Sequence, residues 1–302
     1  MLRYGITPID EKNITSVFDK GKGIQSFLDL KFSDIVLDAA ERGYKHCEIT
    51  MDIFQILPIP INDEEIQKLK EIKKNYDLTY SAHFPIWSVD LSAPNKFIRE
   101  ASVESLIYAY NMFKSLERDI EVFVLHPTGA LAEELLNLDI PETYLKIVTN
   151  LFSGFAIQGI KKIIKETRLD PSKIAIENIK FPFEGTLEII KKIKGSGLCI
   201  DTAHFLGGYS GSKYSEAEAL TKVTQEHLDK TIEIHLQDYS DTGGFDHAAL
   251  GTGKFPAEFI RVIQNYNFGG PIVFELNYEQ AFNSLEFIKA KTPEIQIPEV
   301  KP

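Results

Sequence analysis

Cysteine is scarce in this chain. Only Cys47 and Cys199 occur in 302 residues, each inside an apolar run. That leaves no disulfide framework and fits buried free thiols in a reducing compartment, so the cytoplasm is the expected location. No apolar run is long enough to span a bilayer, and MLRYGITPID at the start lacks the hydrophobic region of a signal peptide. Positive charge is in deficit: 33 Lys and Arg stand against 44 Asp and Glu, a net charge of −11. This argues against a large nucleic-acid footprint, which needs clustered cations. No glycine-rich phosphate loop of the dinucleotide or P-loop type is present. Linkers, low-complexity runs and repeats longer than one strand–helix unit are also missing.

What is present is alternation. Strand-like runs fall at 2–8, 46–50, 78–84, 120–127, 173–178, 198–202, 231–239 and 271–277. Helical patterns follow them near 33–42, 61–76, 96–116, 142–168, 184–194, 215–229, 256–266 and 282–290. Several strand cores (VFVL, IAI, LCI, IVF) are continuously apolar, as when both faces are buried. Eight such pairs predict an α/β fold, a (β/α)8 TIM barrel over residues 1–292, with an open doubly wound sheet as the alternative. Residues 293–302 form a proline-rich tail expected to be loosely ordered.

In such a barrel the C-terminal strand ends build the active site. Those ends carry His83, His126, Glu177, Asp201, His235 and Glu275, with His204, Asp238, Asp246 and His247 just beyond. Five of the seven histidines therefore gather with carboxylates at one face. Neutral imidazole and carboxylate together suit Zn²⁺, Mn²⁺ or Fe. The stretch GLCIDTAHF poses the sharpest question: Asp201 either caps a helix or joins a ligand ring, with His204 reaching further. Buried beside Glu177 and Glu275, its carboxylate needs a cation to stay ionised. Trp87, Glu48 and Lys254 are expected to meet substrate, by stacking, by lining the pocket and by pairing with an anion.

The order His, His, Glu, Asp-x-x-His, His, His, Glu on successive strand ends resembles the xylose isomerase-like barrels, and most of all their endonuclease IV group, AP endonuclease family 2. SAHFPIWSVDLSAP (81–94), VLHPTG (124–129), GLCIDTAHFLGGY (197–209), HAALGTG (247–253) and VFELN (273–277) carry the resemblance. It implies up to three ions: one on His83, His126 and a bridging Glu177, a second on Glu177, Asp201, His235 and Glu275, a third on His204, His247 and Asp246. Sugar isomerases and epimerases of the superfamily keep only the second, with Glu177 and Glu275 as the proton-shuttling pair. The chain departs from the endonuclease pattern at Phe245, where the third-site aspartate belongs, and in FPIW after His83. From the epimerases it departs at Asp241, where they carry an arginine.

Three activities follow as expectations. The first is a two- or three-metal hydrolase of a small phosphorylated or amide-containing substrate, in which close ions activate water. The second is a one-metal sugar or sugar-phosphate isomerase or epimerase, with Glu177, Glu275 and His204 acting on substrate. The third is an abasic-site endonuclease. A barrel that binds a ligand without catalysis is the non-enzymatic alternative. A small-molecule substrate, no membrane and a homo-oligomer complete the expected partners.

Overall fold

A computed structural model of the chain describes residues 2–8, 25, 30–56, 61–136, 141–240, 242 and 244–302. Eight parallel strands close into a barrel: β1 (Arg3–Ile6), β2 (His46–Thr50), β3 (Thr79–His83), β4 (Ile120–Leu125), β5 (Ile174–Glu177), β6 (Gly197–Asp201), β7 (Thr231–His235) and β10 (Pro271–Phe274). β1 closes the ring by pairing with both β2 and β10. Two further strands, β8 (Asp238–Ser240) and β9 (Phe245–Ala248), form an antiparallel hairpin outside the barrel.

Helices alternate with the strands: α1 (Phe32–Glu41), α2 (Ile53–Ile56), α3 (Asp63–Tyr76), α4 (Lys96–Met112), α5 (Ala130–Leu136), α6 (Glu142–Thr167), α7 (Phe183–Lys192), α8 (Thr202–Leu206), α9 (Ala217–His227), α10 (Glu258–Asn265) and α11 (Tyr278–Lys291). Local chemistry explains their ends. Asn62 accepts the Glu65 amide at 3.0 Å, acidic residues fill the first turn of α3, and Lys73 and Lys74 fill the last. Each arrangement satisfies an orphan donor or opposes the helix dipole.

Strand alternation divides the buried side chains. On β4, β5 and β6, Phe123, Leu125, Ile174, Ile176, Leu198 and Ile200 join the main core beneath the helices. Val122, Val124, Ala175 and Cys199 alternate with them and form a separate apolar cluster. Both cysteines are free and buried, as expected. Gly5 on β1 admits its neighbour: a Cβ there would lie 2.7 Å from that of His46.

Several boundaries differ from the sequence reading. The seventh strand does not run to residue 239; it stops at His235, because the next residues turn away into the β8–β9 hairpin. Asp238 anchors that hairpin by accepting amides of Gly251, Gly253 and Phe255 at 3.0, 2.9 and 3.1 Å. α11 starts at Tyr278 rather than near 282, since Asn277 and Gln280 form a capping box. The tail is docked rather than loose. Ile295 is buried, Ile297 and Val300 pack on the core, and the Lys301 amide donates to Arg42 O at 2.9 Å. No helix among the described residues is long and apolar enough to cross a membrane.

Candidate metal centre

The strand ends converge. Glu177, Asp201, His235 and Glu275 offer ligand atoms that all lie within 4.8 Å of one another. His235 Nδ1 stands 3.4 Å from Glu177 Oε1 and 3.2 Å from Glu275 Oε2. A second group shares Glu177: His83 and His126 direct Nε2 to its Oε2 at 3.1 and 3.0 Å. The other ring nitrogen of His83 bonds Phe84 O at 2.8 Å and fixes the ring.

Asp201 does both things the sequence posed as alternatives. Its Oδ1 accepts the His204 amide at 2.7 Å and so caps α8, while Oδ2 accepts Gln237 Nε2 at 2.6 Å inside the ring. The short α8 thereby presents His204 to the same face. His204 Nδ1 bonds Asn178 O at 2.8 Å, and Nε2 lies 3.9 Å from Asp246 Oδ2.

The residues expected for a third ion border this convergence: His204 Nδ1 lies 3.4 Å from Glu177 Oε1. His247 holds Asp246 Oδ1 through Nδ1 at 2.8 Å and reaches Glu275 Oε2 through Nε2 at 3.3 Å. His247 adopts a left-handed backbone (φ 55°), which turns its ring back toward Glu275. Among the described residues, His204, Asp246 and His247 do not form a ligand group as tight as the other two.

The electrostatics suit a cation. Burial and the charges of Glu177 and Glu275 raise the Asp201 pKa, although His204 opposes them. Burial disfavours charge on Glu177, yet His126 and His235 outweigh it and hold its pKa well below the usual range. Burial likewise opposes charge on Glu275, but His235 and His247 pull its pKa well down. On His83, burial disfavours the proton but Glu177, Glu48 and Glu275 outweigh it and lift the pKa to about 10. His235 Nδ1 is fully buried without a hydrogen-bond partner. Three crowded carboxylates and an orphaned imidazole nitrogen form a donor set that a divalent ion satisfies.

A cleft of about 330 Å³ opens beside the ring, lined by Trp87, Glu133, Lys180, His204, Tyr209 and Asp246 among others. Trp87 is 64% exposed at its edge, free to cover a ligand. Lys180 pairs with Glu133 and stands 5.2 Å over the Tyr209 ring. Two expected substrate contacts lie elsewhere. Glu48 does not line the pocket: it is wholly buried below the ring, where its Oε2 faces His235 Nε2 at 3.4 Å. Lys254 is not among the lining residues of the cleft and stands 4.0 Å from Glu216. Asp241 lies outside the described residues.

Gln237 and Asn178 went unnoticed in the sequence. Both are fully buried and tie the ring together: Gln237 Nε2 bridges Asp201 and Glu275, and Asn178 pairs with the backbone of Asp201. Their position one or two residues past a strand-end ligand was the available signal.

Comparison with known proteins agrees with the barrel fold. A D-tagatose 3-epimerase-like protein is similar over 97% of this chain and 98% of its own, at 20% identity and a TM-score of 0.67. The 3-keto-D-glucoside 4-epimerase of E. coli is similar over 96% and 100%, at 13% identity and a TM-score of 0.60. A Thermus thermophilus protein soaked with ZnCl2 is similar over 98% and 99%, at 17% identity and a TM-score of 0.53. No curated protein matches the chain in sequence. The family model described as xylose isomerase-like TIM barrel matches residues 36–294, and the chain belongs to that family.

Proposed function

We propose that this chain is a divalent-metal-dependent isomerase or epimerase of a small sugar. The observation that carries the reading is the placement of two ionised glutamates, Glu177 and Glu275, in one buried donor set with Asp201 and His235. A bound Mn²⁺, Zn²⁺ or similar ion would polarise the carbonyl and neighbouring hydroxyl of the sugar and so acidify the C–H between them. Each glutamate is a carboxylate that can meet both the ion and a proton of the substrate. One takes the proton from the carbon beside the carbonyl; the other returns a proton to the opposite face, which inverts that carbon.

The surrounding residues divide the remaining work. His83 and His126 hold Glu177 Oε2 and keep the carboxylate ionised and oriented. Burial disfavours charge on His204, but Asp201 and Glu177 outweigh it and raise its pKa. Its Nδ1 is committed to Asn178 O, which leaves Nε2 as the ring atom available to meet an oxygen of the substrate. Trp87 offers an apolar face at the cleft. The named activities of the epimerases similar in fold support this reading.

The test is exchange. The metal-loaded protein is incubated with free ketohexoses such as D-tagatose in D2O and followed by NMR. Deuterium entering at the carbon beside the carbonyl, with a new epimer, is the expected result. No exchange on any ketose, together with release of phosphate from small phosphoesters, would refute it. The grouping of His83, His126 and Glu177 favours that second reading, a two-metal hydrolase, since three ligand side chains also converge there.

A further inference from the structure

The barrel interior below the metal ring is polar on one side. Thr7 donates to Glu48 Oε1 at 3.1 Å, and Ser81 donates to Glu233 Oε1 at 2.8 Å. His46 bonds Ser81 and Thr79 at 2.9 and 2.8 Å. All but Thr7 and Thr79 are wholly buried. Interiors of this kind are usually filled by branched aliphatic side chains, so buried carboxylates here call for a physical reason.

We infer that Glu48 is a positioning residue: from beneath the ring it takes the Nε2–H of His235 and thereby aims the lone pair of Nδ1 at the metal position. The inference rests on the reading that Glu177, Asp201, His235 and Glu275 hold an ion. Glu48 Oε2 and His235 Nε2 are 3.4 Å apart, both residues are fully buried, and neither atom has a hydrogen-bond partner elsewhere. Glu48 Oε2 is the carboxylate oxygen within 4 Å of that nitrogen. Thr7 secures the remaining oxygen of Glu48, and the Thr7 amide is itself tied to Phe274 O at 3.0 Å, just before Glu275.

The chemistry follows from the imidazole. A neutral ring carries one N–H, and the nitrogen that lacks it is the ligand. A carboxylate is acceptor-only, so beside Glu48 the proton must sit on Nε2. Nδ1, which faces Glu177 and Glu275, is then a free donor to the ion. The opposite tautomer would point N–H into the ring and exclude a cation. Carboxylates behind metal-bound histidines act in this way generally, and their loss costs about 10–100-fold in metal affinity. Glu233 shares the neighbourhood and spends its Oε1 on Ser81, but its buried Oε2 has no partner and is the rival acceptor that the comparison of variants below separates from Glu48.

The test compares Glu48→Gln with Glu233→Gln in the full chain. The dissociation constant for Zn²⁺ is measured by competition with a chromophoric chelator, alongside the melting temperature of the metal-free protein. The His235 ring is followed by ¹⁵N NMR in the zinc-loaded state. Glu48→Gln should weaken Zn²⁺ binding about 10–100-fold and alter the Nε2–H signal while leaving metal-free melting unchanged. Glu233→Gln should bind Zn²⁺ as the wild type does. Excess Zn²⁺ should restore occupancy of Glu48→Gln. Wild-type affinity in Glu48→Gln would overturn the inference alone. Equal weakening in both variants with lower metal-free melting would overturn it in favour of general packing. A wild-type chain that binds no Zn²⁺ would overturn the functional reading and this inference together.

Discussion

The two sides of the barrel interior are made of opposite materials. On β4, β5 and β6 the inward cluster is Val122, Val124, Ala175 and Cys199, which is apolar and closely enclosed. On β2, β3 and β7 it is His46, Glu48, Ser81 and Glu233, all buried and mostly hydrogen-bonded to one another or to Thr7 and Thr79. Both sides lie beneath the same ring. The apolar side gives Glu177 and Asp201 a rigid, low-dielectric floor, where charges interact strongly. The polar side supports His235, whose ring must be oriented as well as placed. A ligand set is therefore only part of a metal site: its carboxylates are held by the donors that meet them, whereas an imidazole also needs its own proton fixed.

The comparison can be broken at the ring, on either side beneath it, or at the cleft. Asp201→Ala removes a ligand and the cap of α8 together. It should abolish metal retention and cut turnover by about 10³-fold or more, since metal polarisation contributes several kcal/mol; metal analysis and the exchange assay check this. Next come paired substitutions. Ala175→Asp places an unpartnered charge in the apolar side and should cost about 4 kcal/mol or more. Glu233→Gln on the polar side should stay within about 1 kcal/mol of wild type, because it removes one of two neighbouring buried carboxylates. Urea unfolding of the metal-free variants measures both.

Acidity sharpens the comparison. Burial opposes a proton on His235, but the carboxylates of Glu275, Glu177 and Glu48 outweigh it and raise its pKa above the ordinary value. A proton favoured in this way on the metal-free ring competes with the ion. Raising the pH removes that proton more readily, so apparent metal affinity should rise by about tenfold per pH unit for one proton released. Chelator competition at about pH 6 and about pH 8, on either side of neutrality, tests the sign. The smallest effect belongs to Trp87→Ala. An exposed edge residue should raise KM a few-fold and leave kcat nearly unchanged, as loss of uniform binding does.

Much of this was legible in the sequence. The barrel could be read because eight short strand-like runs alternate with helical patterns, and Glu177, Asp201, His235 and Glu275 could be named because each ends or directly follows one of those runs. What escaped depends on side-chain direction. Glu48 looks like any strand-end carboxylate, and only the closed barrel turns it beneath His235. Gln237 carries no charge, and its bridge between Asp201 and Glu275 appears only once β7 stops short. Asp238 likewise looks like a loop acid until three amides of the following turn fall on it. The hairpin also depends on Gly253, where a Cβ would overlap the carbonyl of Tyr239.

The central claim is a single ion held by Glu177, Asp201, His235 and Glu275. The most direct measurement is metal per chain, by elemental mass spectrometry, on wild type, Asp201→Ala and His126→Ala purified without added metal or chelator. The account predicts one equivalent in wild type, none in Asp201→Ala and one retained in His126→Ala. Two or three equivalents in wild type, with one lost in His126→Ala, would contradict it and make the site a multi-metal centre.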